Sequence, residues 1–140
     1  MSTSTIHVHV REHEGKAQIA ARQAVLLSGR GPDGDELPDT FKAGELILGA
    51  LGTCTVGTVR AYAKQHGITG LTDVQVDVRG HEADLPSRIV RAEVILTLQG
   101  SLSADDRVRL RQAAATCKIG HTLKRGIAIQ IAEAETAIAA

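Results

Sequence analysis

The sequence predicts an α+β domain in which an antiparallel-rich sheet packs on two helices, one of them buried at the centre. Three observations carry that prediction. From Leu46 to Val59 no charged residue occurs, and the apolar positions fall on every side of a helical wheel. A surface helix shows one apolar stripe and one polar face, so this helix is expected to be enclosed. Short stretches on either side alternate apolar and polar residues with the period of a half-buried strand. Finally, strands precede the central helix and two more follow it before a second helix, an order that suits helices packed on one sheet.

Composition narrows the class. At 140 residues and 14.8 kDa the chain is read as one domain spanning residues 1–140, long enough for a real core. That core must be aliphatic, because Phe41 and Tyr62 are the only aromatic residues. Sixteen Lys/Arg balance sixteen Asp/Glu, and no basic patch or aromatic platform suits nucleic acid. The charge-free run is shorter than the roughly 17–25 apolar residues of a membrane span. The first residues, MSTSTIHVHV, carry no export signal, so the expectation is a cytoplasmic chain with reduced thiols and no membrane partner.

In order, Ile6, Val8 and Val10 alternate with His7, His9 and Arg11 as a first strand. His7 and His9 share a strand face, yet no third ligand is placed nearby, so they are read as solvent-facing rather than as a metal pair. After a turn at His13–Lys16, Ala17–Arg22 and Gln23–Leu27 continue as one or two further strands. Ser28–Lys42 is a Gly/Pro-rich loop. It formally contains G-x-G-x-x-G, but Pro32 interrupts it and no helix follows at once, so it is not read as a nucleotide site.

The central helix spans Ala43–Gly67, with Gly67 as its C′ residue after Lys64 and His66. Gly49, Gly52 and Gly57 each cost about 1 kcal/mol in a helix interior, so another backbone or a sheet is expected to come close. Val74, Val76 and Val78 alternate with polar residues as a strand. A turn is expected over Gly80–Ser87, then a long strand over Ile89–Leu98 with Val90, Ala92, Val94, Leu96 and Leu98 inward. Ser103-Ala104-Asp105-Asp106 reads as a capping box opening a helix to about Thr116. A short turn or helix follows over Lys118–Lys124, and Ile127, Ile129 and Ile131 are expected to form a last strand.

The chemistry rests on the two cysteines. Cys54 lies mid-helix among apolar residues, where a cysteine ordinarily fills space as a small hydrophobe. Cys117 lies where the second helix ends. If it starts the short helix after it, free amides and Lys118 favour its thiolate. Two helices on one sheet can bring the pair together, but spacing alone does not show that they meet.

Here the residues become recognisable. E-L-x-L-x-x-L-G-x-C-T over Glu45–Thr55, and A-x-x-C-x-I-x-x-T-L over Ala114–Leu123, resemble the OsmC/Ohr family of osmotically inducible and organic-hydroperoxide-resistance proteins. The likeness covers nearly the whole chain after Ile6. It implies an intertwined homodimer with the central helices inside and an active site at each side of the interface. It also implies a cysteine-based peroxidase that reduces a small organic hydroperoxide with electrons from a dithiol, needing neither cofactor nor metal. By that likeness Cys54 is the attacking thiol and Cys117 the resolving one. Glu45 at the helix start and Arg30 in the preceding loop are supporting residues, with Arg22 as the other arginine available.

The chain departs from the family pattern in two places. The glutamate stands nine residues before Cys54 rather than ten, which at about 100° per residue puts Glu45 on the opposite side of the helix from Cys54. Lys118 occupies the position of a usual proline. A mid-helix Cys54 gains nothing from its own helix terminus, so a nearby cation is expected to stabilise its thiolate. The rival expectations are a dimer of this fold that binds a small apolar or thiol ligand without turnover, and a dimer whose cysteines only fill the core.

Overall fold

The computed structural model describes residues 4–29, 34 and 36–134. Arg30 and part of the loop around it, and the alanine-rich end of the chain, lie outside the described residues. Three short strands come first: β1 (His9–His13), β2 (Lys16–Ala21) and β3 (Ala24–Ser28), antiparallel in the order β1-β2-β3. Two-residue turns join them, with Glu14 and Gly15 at φ 53° and 79° and Arg22 at φ 55°. Positive φ at the centre of such turns matches the twist of the flanking strands. The first strand is shorter than expected. Ile6 and Val8 precede it, and Ile6, Val8 and Val10 remain 76%, 49% and 55% exposed. Nothing among the described residues of this chain covers that apolar row.

The three-stranded sheet joins the body through Phe41. Gly29 N–H donates to Phe41 O at 3.0 Å, Phe41 N–H to Leu27 O at 3.4 Å, and the Ser28 hydroxyl to Phe41 O at 2.6 Å. The expected single sheet is therefore two. A separate antiparallel hairpin pairs β4 (Leu71–Ala83) with β5 (Arg88–Gly100). Both strands are longer than the alternation indicated, because Gly80–Ala83 stays paired with β5 and the turn is confined to residues 84–87.

The central helix, α1 (Ala43–Gln65), has the expected ends. At its start the Glu45 carboxylate accepts the Lys42 N–H at 2.8 Å. At its end Gly67 takes φ 66°, and Ile68 N–H donates back to Ala63 O at 2.9 Å, a Schellman closure. Ile68 and Ala63 are both buried, which supplies the apolar contact that accompanies that motif. Helix α2 (Ala104–Ala114) opens with Ser103 Oγ accepting the Asp106 N–H at 3.0 Å, as its capping signal predicts. Helix α3 (Lys118–Arg125) follows after a short turn.

The core lies where α1, β4 and α2 meet: Val59 and Leu110 are fully buried, with Ala63, Ile68, Leu71 and Val74 around them. By length and composition α1 also qualifies as a membrane-crossing helix. Its packing against β4, α2 and α3 makes it the central helix of this core. Only one side is covered, however. Leu51, Gly52, Thr55, Val59 and Ala63 are buried, while Gly49, Ala50, Thr53, Gly57 and Ala61 are exposed. The expectation of a helix enclosed on every side thus fails within one chain, since β4, α2 and α3 lie against one side of it.

Two further expectations are corrected. Val90, Ala92 and Val94 face one way along β5 but are exposed, because only Leu96 and Leu98 reach the core beneath α1 and α2. Ile127, Ile129 and Ile131 form no strand and are 70%, 79% and 95% exposed. Alternation marks a segment able to pair, but pairing also requires the fold to lay that segment against a strand.

Candidate functional site

Both cysteines converge on the first turn of α3. Cys117 is the N-cap residue, with extended backbone (φ −70°, ψ 147°), and its Sγ accepts the Gly120 N–H at 3.2 Å. An N-cap side chain normally accepts from the second or third residue of the helix, and Gly120 is the third. The Ile119 N–H, second in the helix, donates instead to Cys54 Sγ at 3.5 Å. Two consecutive amides thus serve two sulfurs from different helices. Both thiols are free, Cys117 buried at 2% exposure and Cys54 partly accessible. Thr55, fully enclosed beside Cys54 in sequence, donates its hydroxyl to Leu51 O at 2.8 Å and lies 3.8 Å from Cys117 Sγ.

The electrostatics differ from the expectation. Burial pushes the Cys54 thiol up, but hydrogen bonds from the Ile119 amide, the Cys117 thiol, the Lys118 amide and the Thr58 hydroxyl together outweigh it. The net shift is below the ordinary thiol value. A helix N-terminus concentrates unsatisfied N–H groups and partial positive charge, which favours an anion. Cys54 gains nothing from its own helix, as expected, but it does gain from the start of α3. That contribution is legible only when two helices separated by the β4–β5 hairpin are seen together.

The other sequence candidates lie apart. Glu45 is exposed and engaged at the start of α1, and nine helical residues place it about 13.5 Å along the axis from Cys54. Arg22 is exposed in the β2–β3 turn. Arg30 lies outside the described residues. Among the described residues no three His, Cys, Asp or Glu side chains gather as a metal site would require.

Beside Cys117 opens a cavity of about 560 Å³. Its walls are mainly aliphatic, including Leu48, Leu51, Val90, Val94 and Leu96, with Thr55, Cys117 and Gly120 among the lining residues. Arg91, Arg111 and Lys124 contribute exposed cationic side chains to the same space. A volume of this order is that of a small-molecule site. Of the β5 residues expected to fill the core, Val90, Ala92, Val94 and Leu96 line this cavity. Gly120, Thr55 and the Ile119 amide were missed in the sequence. The available signal was the glycine three positions after Cys117, at the third position of a short helix.

Comparison with known proteins accords with this architecture. The family model described as OsmC-like protein matches residues 34–132. Among solved structures, an OsmC like protein from Mycoplasma pneumoniae superposes with a TM-score of 0.74 at 12% identity, covering 88% of this chain and 89% of that one. An organic hydroperoxide resistance protein OsmC from Legionella pneumophila gives 0.63 at 16% identity, covering 89% and 92%. The organic hydroperoxide resistance protein OhrB of Bacillus subtilis gives 0.54 at 15% identity, covering 86% and 91%. No match was found among curated proteins. At these identities the likenesses establish the fold, while the family model covers most of the chain and both cysteines. The α+β chain described here therefore belongs to the OsmC-like protein family.

Proposed function

We propose that this protein is a thiol-dependent peroxidase that reduces organic hydroperoxides through Cys54 and Cys117. The observation that carries this reading is the meeting of the two thiols at the first turn of α3, each against its own amide. The Cys54 thiolate attacks the terminal peroxide oxygen, the O–O bond breaks, and the alkoxide leaves to take up a proton as the alcohol. Cys54 is then a sulfenic acid. The Cys117 sulfur attacks it, forming the disulfide and releasing water. A dithiol reductant restores both thiols and is itself oxidised to a disulfide. In this reading Arg30 supports Cys54 by its charge, while Glu45 caps the start of α1.

A homodimer belongs to the same proposal. The bare side of α1, the uncovered Ile6–Val8–Val10 row and the unpaired Ile127–Ile131 segment are three apolar surfaces that a second copy would cover. Free thiols and the oxidation cycle both suit a reducing cytoplasm.

The test is dithiol-dependent consumption of cumene hydroperoxide, beside hydrogen peroxide, by the wild type, Cys54→Ser and Cys117→Ser. Turnover that prefers the organic peroxide and disappears with Cys54→Ser is the expected result. The cavity beside Cys117 favours a second reading, a dimer that holds a small apolar or thiol ligand without turnover. Absent turnover, with both cysteines still reduced by mass spectrometry after peroxide exposure, would select it.

A further inference from the structure

We propose that Gly120 is a positioning residue for Cys54: the room it leaves keeps the Cys117 sulfur on the third amide of α3, so that the second amide serves the Cys54 sulfur. The assignment rests on the reading of Cys54 as the attacking thiol, and its test does not depend on turnover. Gly120 is not among the left-handed glycines of the chain, so its backbone does not require a glycine. In a helix of eight residues a glycine costs about 1 kcal/mol relative to alanine. Local propensity therefore argues against it.

The surroundings supply the reason. A Cβ at position 120 would stand 3.2 Å from Cys117 Sγ, closer than an ordinary van der Waals contact, and 3.9 Å from Leu51 Cδ1. The same sulfur lies 3.8 Å from Thr55 Oγ1. Cys117 Sγ thus has Thr55 in contact as well as the open face of Gly120. An alanine methyl would push it off the Gly120 amide by a few tenths of an ångström. The next amide an N-cap sulfur can use is that of the second residue, Ile119, which Cys54 already uses. The two sulfurs would then compete for one donor.

The experiment is alkylation of the fully reduced protein by iodoacetamide across neutral and mildly acidic pH, with Cys54 modification followed by mass spectrometry. The wild type is compared with Gly120→Ala, Cys117→Ser and the double variant. Gly120→Ala should fold, since alanine favours the helix, yet its Cys54 should alkylate about tenfold more slowly near pH 6, the effect of one pKa unit. A serine oxygen sits closer to its own Cβ than sulfur does and clears the alanine methyl. In the double variant Cys54 should therefore react at the rate of Cys117→Ser alone. A second variant, Ile119→Pro, deletes the amide itself within the first turn, where proline is tolerated, and should slow Cys54 comparably.

Wild-type alkylation in folded Gly120→Ala or in Ile119→Pro, or a loss that the double variant does not relieve, would overturn the assignment. If the wild type consumes no peroxide while these alkylation differences appear, the peroxidase reading falls and the positioning role stands. Turnover with no such differences leaves the reverse.

Discussion

The two sides of α1 have nearly the same chemistry and opposite surroundings. One side packs Leu51, Thr55, Val59 and Ala63 against β4, α2 and α3, and a Cβ on its Gly52 would meet Val78 Cγ2 at 3.2 Å. The other presents Ala50, Thr53, Gly57 and Ala61 to solvent, and nothing among the described residues lies within 4 Å of where Cβ atoms on Gly49 or Gly57 would be. Cys54, partly accessible, is joined to the packed elements by the start of α3. The comparison teaches that an all-apolar helix reports how much surface must be covered, and is silent on whether the cover comes from the same chain.

The largest expected effect breaks the packed side. Leu110→Ala removes a fully buried side chain against Val59, and should cost about 2–5 kcal/mol, read as a lower denaturant midpoint at unchanged slope. On the open side, Gly57→Leu puts a bulky side chain where a second copy is proposed to sit. Sedimentation should show a wild-type dimer at micromolar concentration and a variant shifted toward monomer. A wild type that sediments as a monomer would remove the dimer from the proposal.

Gly52→Ala and Gly57→Ala sharpen the contrast in a single chain. Helix propensity favours alanine by about 1 kcal/mol at both positions, but only Gly52→Ala must also displace Val78. Under conditions where the chain is monomeric, Gly57→Ala should raise the unfolding midpoint and Gly52→Ala should fall below it. At the start of the helix, Glu45→Ala removes the carboxylate that accepts the Lys42 N–H. It should cost about 0.3–1 kcal/mol and leave Cys54 alkylation unchanged if Glu45 only caps α1.

The pH dependence of Cys54 has a defined sign. Its folded value lies below the ordinary thiol value despite burial, because the Ile119 amide and the other donors favour the thiolate. The stability it contributes is therefore fully present above the unfolded thiol value, and is lost as pH falls through the lowered folded value. The reduced wild type should gain on Cys54→Ser as pH rises across that window. The smallest effect is at Glu93, whose carboxyl is held low by the His81 hydrogen bond at 2.7 Å and by Arg91. Glu93→Gln should differ most from the wild type above the ordinary carboxylate range, with the difference lost as pH falls through the lowered folded value.

Much of this was readable in the residues. Gly67 after Lys64 and His66 marked the end of α1, Ser103 the start of α2, and the two cysteine motifs the family and the candidate thiols. These are local signals, each written within a few neighbouring positions. The failures share a different cause. Val90, Ala92 and Val94 have strand alternation, yet whether they meet a core or a cavity depends on where α1 and α3 end. Ile127–Ile131 has the alternation, yet the fold lays it against no strand among the described residues.

Caps and glycines in the sequence by itself marked where the helices begin and end, because these signals act within a turn or two of chain, while the strand ends followed from which segments pair. The run from Leu46 to Val59 likewise marked a helix apolar on every side, whose surface something must cover. The tertiary structure decided which sides of those elements meet. Only there does the start of α3 reach across to Cys54, because hydrogen bonds between elements depend on positions in space that no local pattern records.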